Sequence, residues 1–162
     1  MKNMSEPARK NDRMYTYADY CTWPDDERWE LIDGVAYDMS PAPNRRHQEI
    51  VGEIFVALHE FLKNKSCRVF LSPFDVRLPE STHHPIHAEP ELARHPVDTD
   101  REHTGIGDDE ITTVVQPDVS VFCDESELDE RGAIGPPDMV VEVLSPYTSV
   151  KDQREKLELY ER

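Results

Sequence analysis

Residues 139–144, Met-Val-Val-Glu-Val-Leu, are an almost continuous apolar run with a single carboxylate inside it. A strand of this kind is covered on both faces, so the chain must build a layered sheet rather than a lone hairpin. Glu142 would then lose its hydration at a cost of several kcal/mol unless a cation meets it. That cation is either the Lys or Arg of a structural ion pair or a metal. One short run therefore constrains both the fold and the chemistry.

The remaining elements fit around it. Thr16 to Thr22 reads as a short helix, with Thr16 as N-cap, Asp19 three residues on, and Pro24 as stop. Trp29–Ile32 and Val35–Met39 flank Asp33-Gly34, a strong hairpin signal because Gly34 tolerates positive φ. From about Arg46 to Asn64 an amphipathic helix carries Ile50, Ile54, Leu58, Phe61 and Leu62 on one stripe. Val69–Leu78 and Thr112–Cys123 read as strands, and Ser149 caps a last helix reaching Tyr160. Strands alternating with helices predict an α/β fold, a central sheet covered by helices.

Between those two strands lies a polar insertion at about 80–110. It holds nine acids, two Arg, three Pro and five of the seven His, and no apolar period survives in it. The histidines, at 83, 84, 87, 95 and 103, match no ordinary zinc spacing and lack Cys partners. A second acidic patch, 124–130, precedes a turn-rich stretch from Gly132 to Pro137. Together they account for much of the net charge of −16 (18 Lys and Arg against 34 Asp and Glu), which disfavours simple electrostatic coating of DNA. At 162 residues the chain fits one domain, 15–162, after a disordered N-terminus at 1–14. No apolar stretch is long enough to span a membrane, and the first residues lack the apolar region of a secretory signal. Cys21, Cys67 and Cys123 are odd in number and far apart, so each is expected to pack as a small hydrophobe in a reducing cytoplasm.

The chemistry concentrates near the C-terminal strands. Alternation along Val115–Cys123 puts Asp118 in a polar row with Gln116 and Ser120, facing away from the main core. Asp152, Lys156 and Tyr160 recur at i, i+4, i+8 on one helix face. That face either carries an exposed ion pair or turns toward the sheet and delivers Lys156 to the carboxylates; Lys151 is the rival donor. Two acids on neighbouring strands plus a lysine suit a hard divalent cation, Mg²⁺ or Mn²⁺, held by Asp118 and Glu142.

Tyr17-x-x-Tyr20, Glu30-Leu-Ile-Asp-Gly34, His47, Gln116-Pro-Asp118, Val141-Glu-Val-Leu-Ser145-Pro and Asp152-x-x-x-Lys156-x-x-x-Tyr160 together resemble the Uma2 family, also called DUF820. The resemblance implies a restriction-endonuclease-like core of the PD-(D/E)XK superfamily, a central mixed sheet flanked by helices. It implies that Asp118 is the PD aspartate and Glu142 the acid of the (D/E)XK element. Leu144 stands where the motif has lysine, so Lys156 looks like a migrated replacement. Glu30, in the ELIDG motif, either approaches the metal or braces the hairpin. His47 opens the long helix in a capping or packing role.

The expected function is a Mg²⁺-dependent endonuclease acting on DNA; the alternative is a catalytically silent relative kept for binding or oligomerisation. The chain ends inside a helix without a Gly cap, and relatives run on into further strands, so a C-terminally truncated core is expected. Its 139–144 strand would then have an open edge, inviting a homo-oligomer, a dimer in the simplest case.

Overall fold

A computed structural model describes residues 13–24, 26–39, 43–79, 105–144 and 156–160. Thr16 opens α1 (Tyr17–Tyr20) with a full capping box, its side chain accepting from Asp19 N while Asp19 reaches back to Thr16 N. The hairpin follows, β1 (Trp29–Ile32) and β2 (Val35–Asp38), with Asp33 and Gly34 at φ 47° and 75°. Positive φ at both turn residues matches the right-handed twist of the strands they join.

The long helix α2 (Arg45–Leu62) is capped by Asn44, whose side chain accepts from His47 N at 3.0 Å. Its fully buried residues are His47 and Val51; of the expected stripe Ile54, Leu58 and Leu62 are half-buried, whereas Phe61 is 68% exposed and Ile50 also lies outward. The helix is turned so that His47 reaches Asp118, and the Lys65 ammonium lies 3.5 Å from the Phe61 ring centroid.

The two long strands expected at Val69–Leu78 and Thr112–Cys123 are each broken in two. β3 (Arg68–Leu71) and β4 (Val76–Leu78) are separated at Pro73, and β5 (Thr113–Val115) and β6 (Val119–Phe122) at Pro117. Proline gives no ladder N–H, so each strand leaves one sheet there and enters another. β4 pairs with β5 (Val76 opposite Val115) in a six-stranded mixed sheet ordered β2-β1-β5-β4-β8-β7, where β7 is Leu128–Asp129 and β8 is Gly132–Ile134. β3 pairs with β6 (Leu71 opposite Val119) in a three-stranded sheet ordered β3-β6-β9, where β9 is Met139–Val141.

The supposed turn at 132–137 begins instead with a strand. β7 (Leu128–Asp129) and β8 (Gly132–Ile134) form a hairpin, and β8 runs parallel to β4. Gly132, at φ 136°, permits this, because a Cβ there would lie 2.1 Å from Asp75 O. Arg77, fully buried on β4, ties β8 in by donating to Ala133 O and pairing with Asp129.

Cys67 and Cys123 are joined by a disulfide, against the expectation of three packed thiols, while Cys21 is free and exposed. The register explains the pairing: Arg68 sits opposite Phe122, so Cys67 and Cys123 are the next cross-strand pair. Of the polar insertion, 80–104 and all five of its histidines lie outside the described residues. Its end packs: Ile106 lies against the core formed by Tyr15, Tyr17, Leu31, Ile111 and Val114, and Asp108 pairs with Arg131. Lys151, Asp152 and Ser149 also lie outside the described residues. Among the described residues, no helix is long and apolar enough to cross a membrane.

Candidate active site at the sheet junction

The bend at Pro117 is where the acids meet. Asp118 occupies the break between β5 and β6, and β6 pairs with β9 with Val119 opposite Val141. One further step of that register sets Asp118 opposite Glu142, just past the end of β9. The expected outward polar row is not seen, since Gln116 and Ser120 are buried with the rest of β6. Two layers cover the strand, so its nominally polar side is also interior.

Glu30 comes from β1 and is buried. Its Oε1 accepts from Gln116 N at 3.0 Å and from Lys156 Nζ at 2.8 Å. The same ammonium donates to Glu142 Oε1 at 3.1 Å, and the Tyr160 hydroxyl donates to that oxygen at 3.0 Å. Residues 156–160 are helical, and Leu159 packs into the core of Val76, Val115, Phe122 and Ala133. Anchoring Leu159 there turns Lys156 and Tyr160, one helical turn apart, onto the carboxylates. Asp118 Oδ2 accepts from Val143 N at 2.8 Å and lies 3.0 Å from His47 Nε2. His47 Nδ1 is buried without a partner among the described residues.

The charges are coupled. Burial raises the Glu142 carboxyl above its ordinary range; Lys156 opposes that rise, and Glu30 and Asp118 add to it by repulsion. Burial favours the neutral amine at Lys156, but Glu30 and Glu142 outweigh it and hold the ammonium above its ordinary value. Burial and the neighbouring Glu142 keep the Tyr160 hydroxyl protonated, so it stays a donor.

The structure thus brings Glu30, Asp118, Glu142 and Lys156 into one cluster. Its further members were less visible. His47 is a polar residue one turn before buried Val51; it stood among the residues of the family resemblance, but its expected role was capping or packing. Gln116 contributes a main-chain N–H, which no side-chain pattern announces. Among the described residues, no three His, Cys, Asp or Glu side chains are already arranged around a metal position. The donor chemistry nevertheless suits a hard cation: Asp118 Oδ1 and Glu142 Oε2 receive no hydrogen bond among the described residues, and both are carboxylate oxygens.

Three acids and a lysine from separate elements thus meet where the two sheets join. A solved structure from Anabaena variabilis, described as "a putative nuclease belonging to DUF820", shares the fold. It matches with a TM-score of 0.57 and 20% identity, over 90% of this chain and 66% of its own length. The chain belongs to the Uma2 family, whose model, described as "Putative restriction endonuclease", matches residues 16–90 and 106–162. The gap between the two matched segments falls inside the polar insertion. No curated protein matches the chain.

Proposed function

We propose that the protein is a Mg²⁺-dependent endonuclease that hydrolyses phosphodiester bonds in DNA. The observation that carries this is that Lys156 pairs with both Glu30 and Glu142, while Asp118 lies opposite Glu142 in the β6–β9 register. Asp118 and Glu142 would hold Mg²⁺ or Mn²⁺, which when bound polarises the scissile phosphate and acidifies a water. His47 and Val143 N fix the Asp118 carboxylate, and Tyr160 fixes that of Glu142. Lys156, charged and held between Glu30 and Glu142, orients the attacking water and offsets charge developing on the phosphate. The working unit would be a cytoplasmic homodimer joined through the edge of β9, where Met139 is 46% exposed.

One observation favours a second reading, a catalytically silent binding or oligomerisation protein: Lys156 is already engaged in ion pairs with both Glu30 and Glu142. Incubation of the chain with plasmid and linear DNA in Mg²⁺ or Mn²⁺, against a chelator control, distinguishes the two. Metal-dependent nicking or linearisation supports the endonuclease. Intact DNA under all conditions, with the fold verified by circular dichroism, supports the silent form.

A further inference from the structure

A cavity of about 650 Å³ opens on the far side of Gln116 from Glu30. Its walls include Tyr20, Trp23, Trp29 and Phe74, with Asp75 and Gln116 among its polar groups. Gln116 belongs to both places: its main-chain N–H donates to Glu30, while its side chain lines the cavity. The cavity therefore begins one residue from the acid cluster.

The polar groups are committed in a particular way. Asp75 Oδ1 accepts from Gln116 Nε2 at 2.8 Å and from the Tyr20 hydroxyl at 3.1 Å. Gln116 Oε1 is taken by Arg28 at 3.1 Å. Among the described residues no hydrogen bond reaches Asp75 Oδ2, and no cation forms an ion pair with this carboxylate. Burial holds Asp75 above the ordinary carboxylate range, with the Gln116 and Tyr20 donors and the charge of Arg77 opposing that shift. An acceptor oxygen among aromatic walls suits a flat ligand that stacks and presents N–H donors at its edge. The charge of the walls narrows the choice. Glu27, Asp75, Asp129 and Glu130 outnumber Arg28 and Arg131, so a phosphate is disfavoured inside and a neutral ring is not.

We propose that this cavity receives one unstacked nucleobase of a nucleic acid strand, guanine in preference, with its N–H edge on Asp75 and its phosphates outside. The inference rests on the nuclease reading and names the part of the substrate next to the reacting phosphate. Flanking-base capture of this kind is how a single-stranded or distorted substrate is held in register.

The test is equilibrium binding without divalent metal, using the full chain and short oligo(dT) strands carrying one central dG, dA or abasic nucleotide. The dG strand should bind about tenfold more tightly than the abasic strand, the order of one base–aromatic stack. Asp75→Asn should erase the preference for dG over dA while keeping both above the abasic strand. If Asp75→Asn does not fold, the wild-type series decides alone. Equal affinity for all three strands overturns the proposal. So does guanosine monophosphate binding as tightly as the dG strand, which marks a free-nucleotide site. Displacement of the strand by agmatine but not by guanosine also overturns it, in favour of an organic cation. Cleavage is read afterwards by adding Mn²⁺: selective binding of a strand that then stays intact counts against the nuclease reading and leaves the base site standing.

Discussion

Lys156 holds its ammonium between carboxylates from β1 and from the end of β9, so it has two separable jobs. As a catalytic group its loss should be severe: Lys156→Ala should depress cleavage by about a hundredfold or more, the order for one charge-stabilising donor. Metal binding, measured by titration, should persist. Equal cleavage by the variant would make Lys156 a structural ion-pair residue. As a titrating group it also affects stability. Its folded value is raised above the ordinary 10.5, so its contribution is complete below about pH 10.5 and lost as pH rises through the folded value. Melting temperature should therefore fall more steeply on the alkaline side for the wild type than for Lys156→Ala. Parallel profiles would contradict the coupling to Glu30 and Glu142. Glu142 was legible because it interrupts an apolar run, Asp118 and Lys156 from their places in a strand alternation and a helical repeat, and Glu30 through the family motif. His47 was not, because a histidine one turn into an amphipathic helix is equally well explained by packing.

At the scale of elements, the capping box of α1 and the Asp33-Gly34 hairpin were readable because their signals are local, a few residues each. The split of two strands between two sheets was not, although Pro73 and Pro117 both marked it. A proline inside an apolar run says that the ladder breaks, not where the chain goes next. The β7–β8 hairpin was hidden for a related reason: its glycine looked like a turn signal, but Gly132 serves a close approach to Asp75 O. Gly132→Ala should consequently destabilise the fold by about 1–3 kcal/mol, the range for a strained backbone position, with a lowered thermal midpoint. An unchanged midpoint would show that β8 shifts freely. By contrast Phe61→Lys, on the outward side of α2, should leave stability within about 0.5 kcal/mol. A large loss would mean that Phe61 is covered by another chain in solution.

Across the whole molecule, the α/β class and the pairing of Asp118 with Glu142 followed from sequence pattern, the mixed sheet and Glu30 from the family resemblance, and the Cys67–Cys123 bridge from neither. Its partners are 56 residues apart and meet only through the β3–β6 register, which no local rule supplies. The polar insertion divides in the same manner. Its last residues pack through Ile106 and the Asp108–Arg131 pair, although no apolar period announced them. Replacing 81–103 by a short Gly-Asn turn should keep the melting temperature within a few degrees, since loop length acts only weakly on stability. Extending the deletion through residue 110 should lower it clearly. Equal effects from the two deletions would contradict the packing of 105–110.

The central claim is that Asp118 and Glu142 share one divalent ion. Calorimetric titration of the folded 162-residue chain with Mn²⁺ tests it most directly, alongside Asp118→Asn and Glu142→Gln. The wild type should bind one ion per chain, and both variants should lose that binding with their folds intact. Unchanged binding in either variant, or no binding by the wild type, would contradict it.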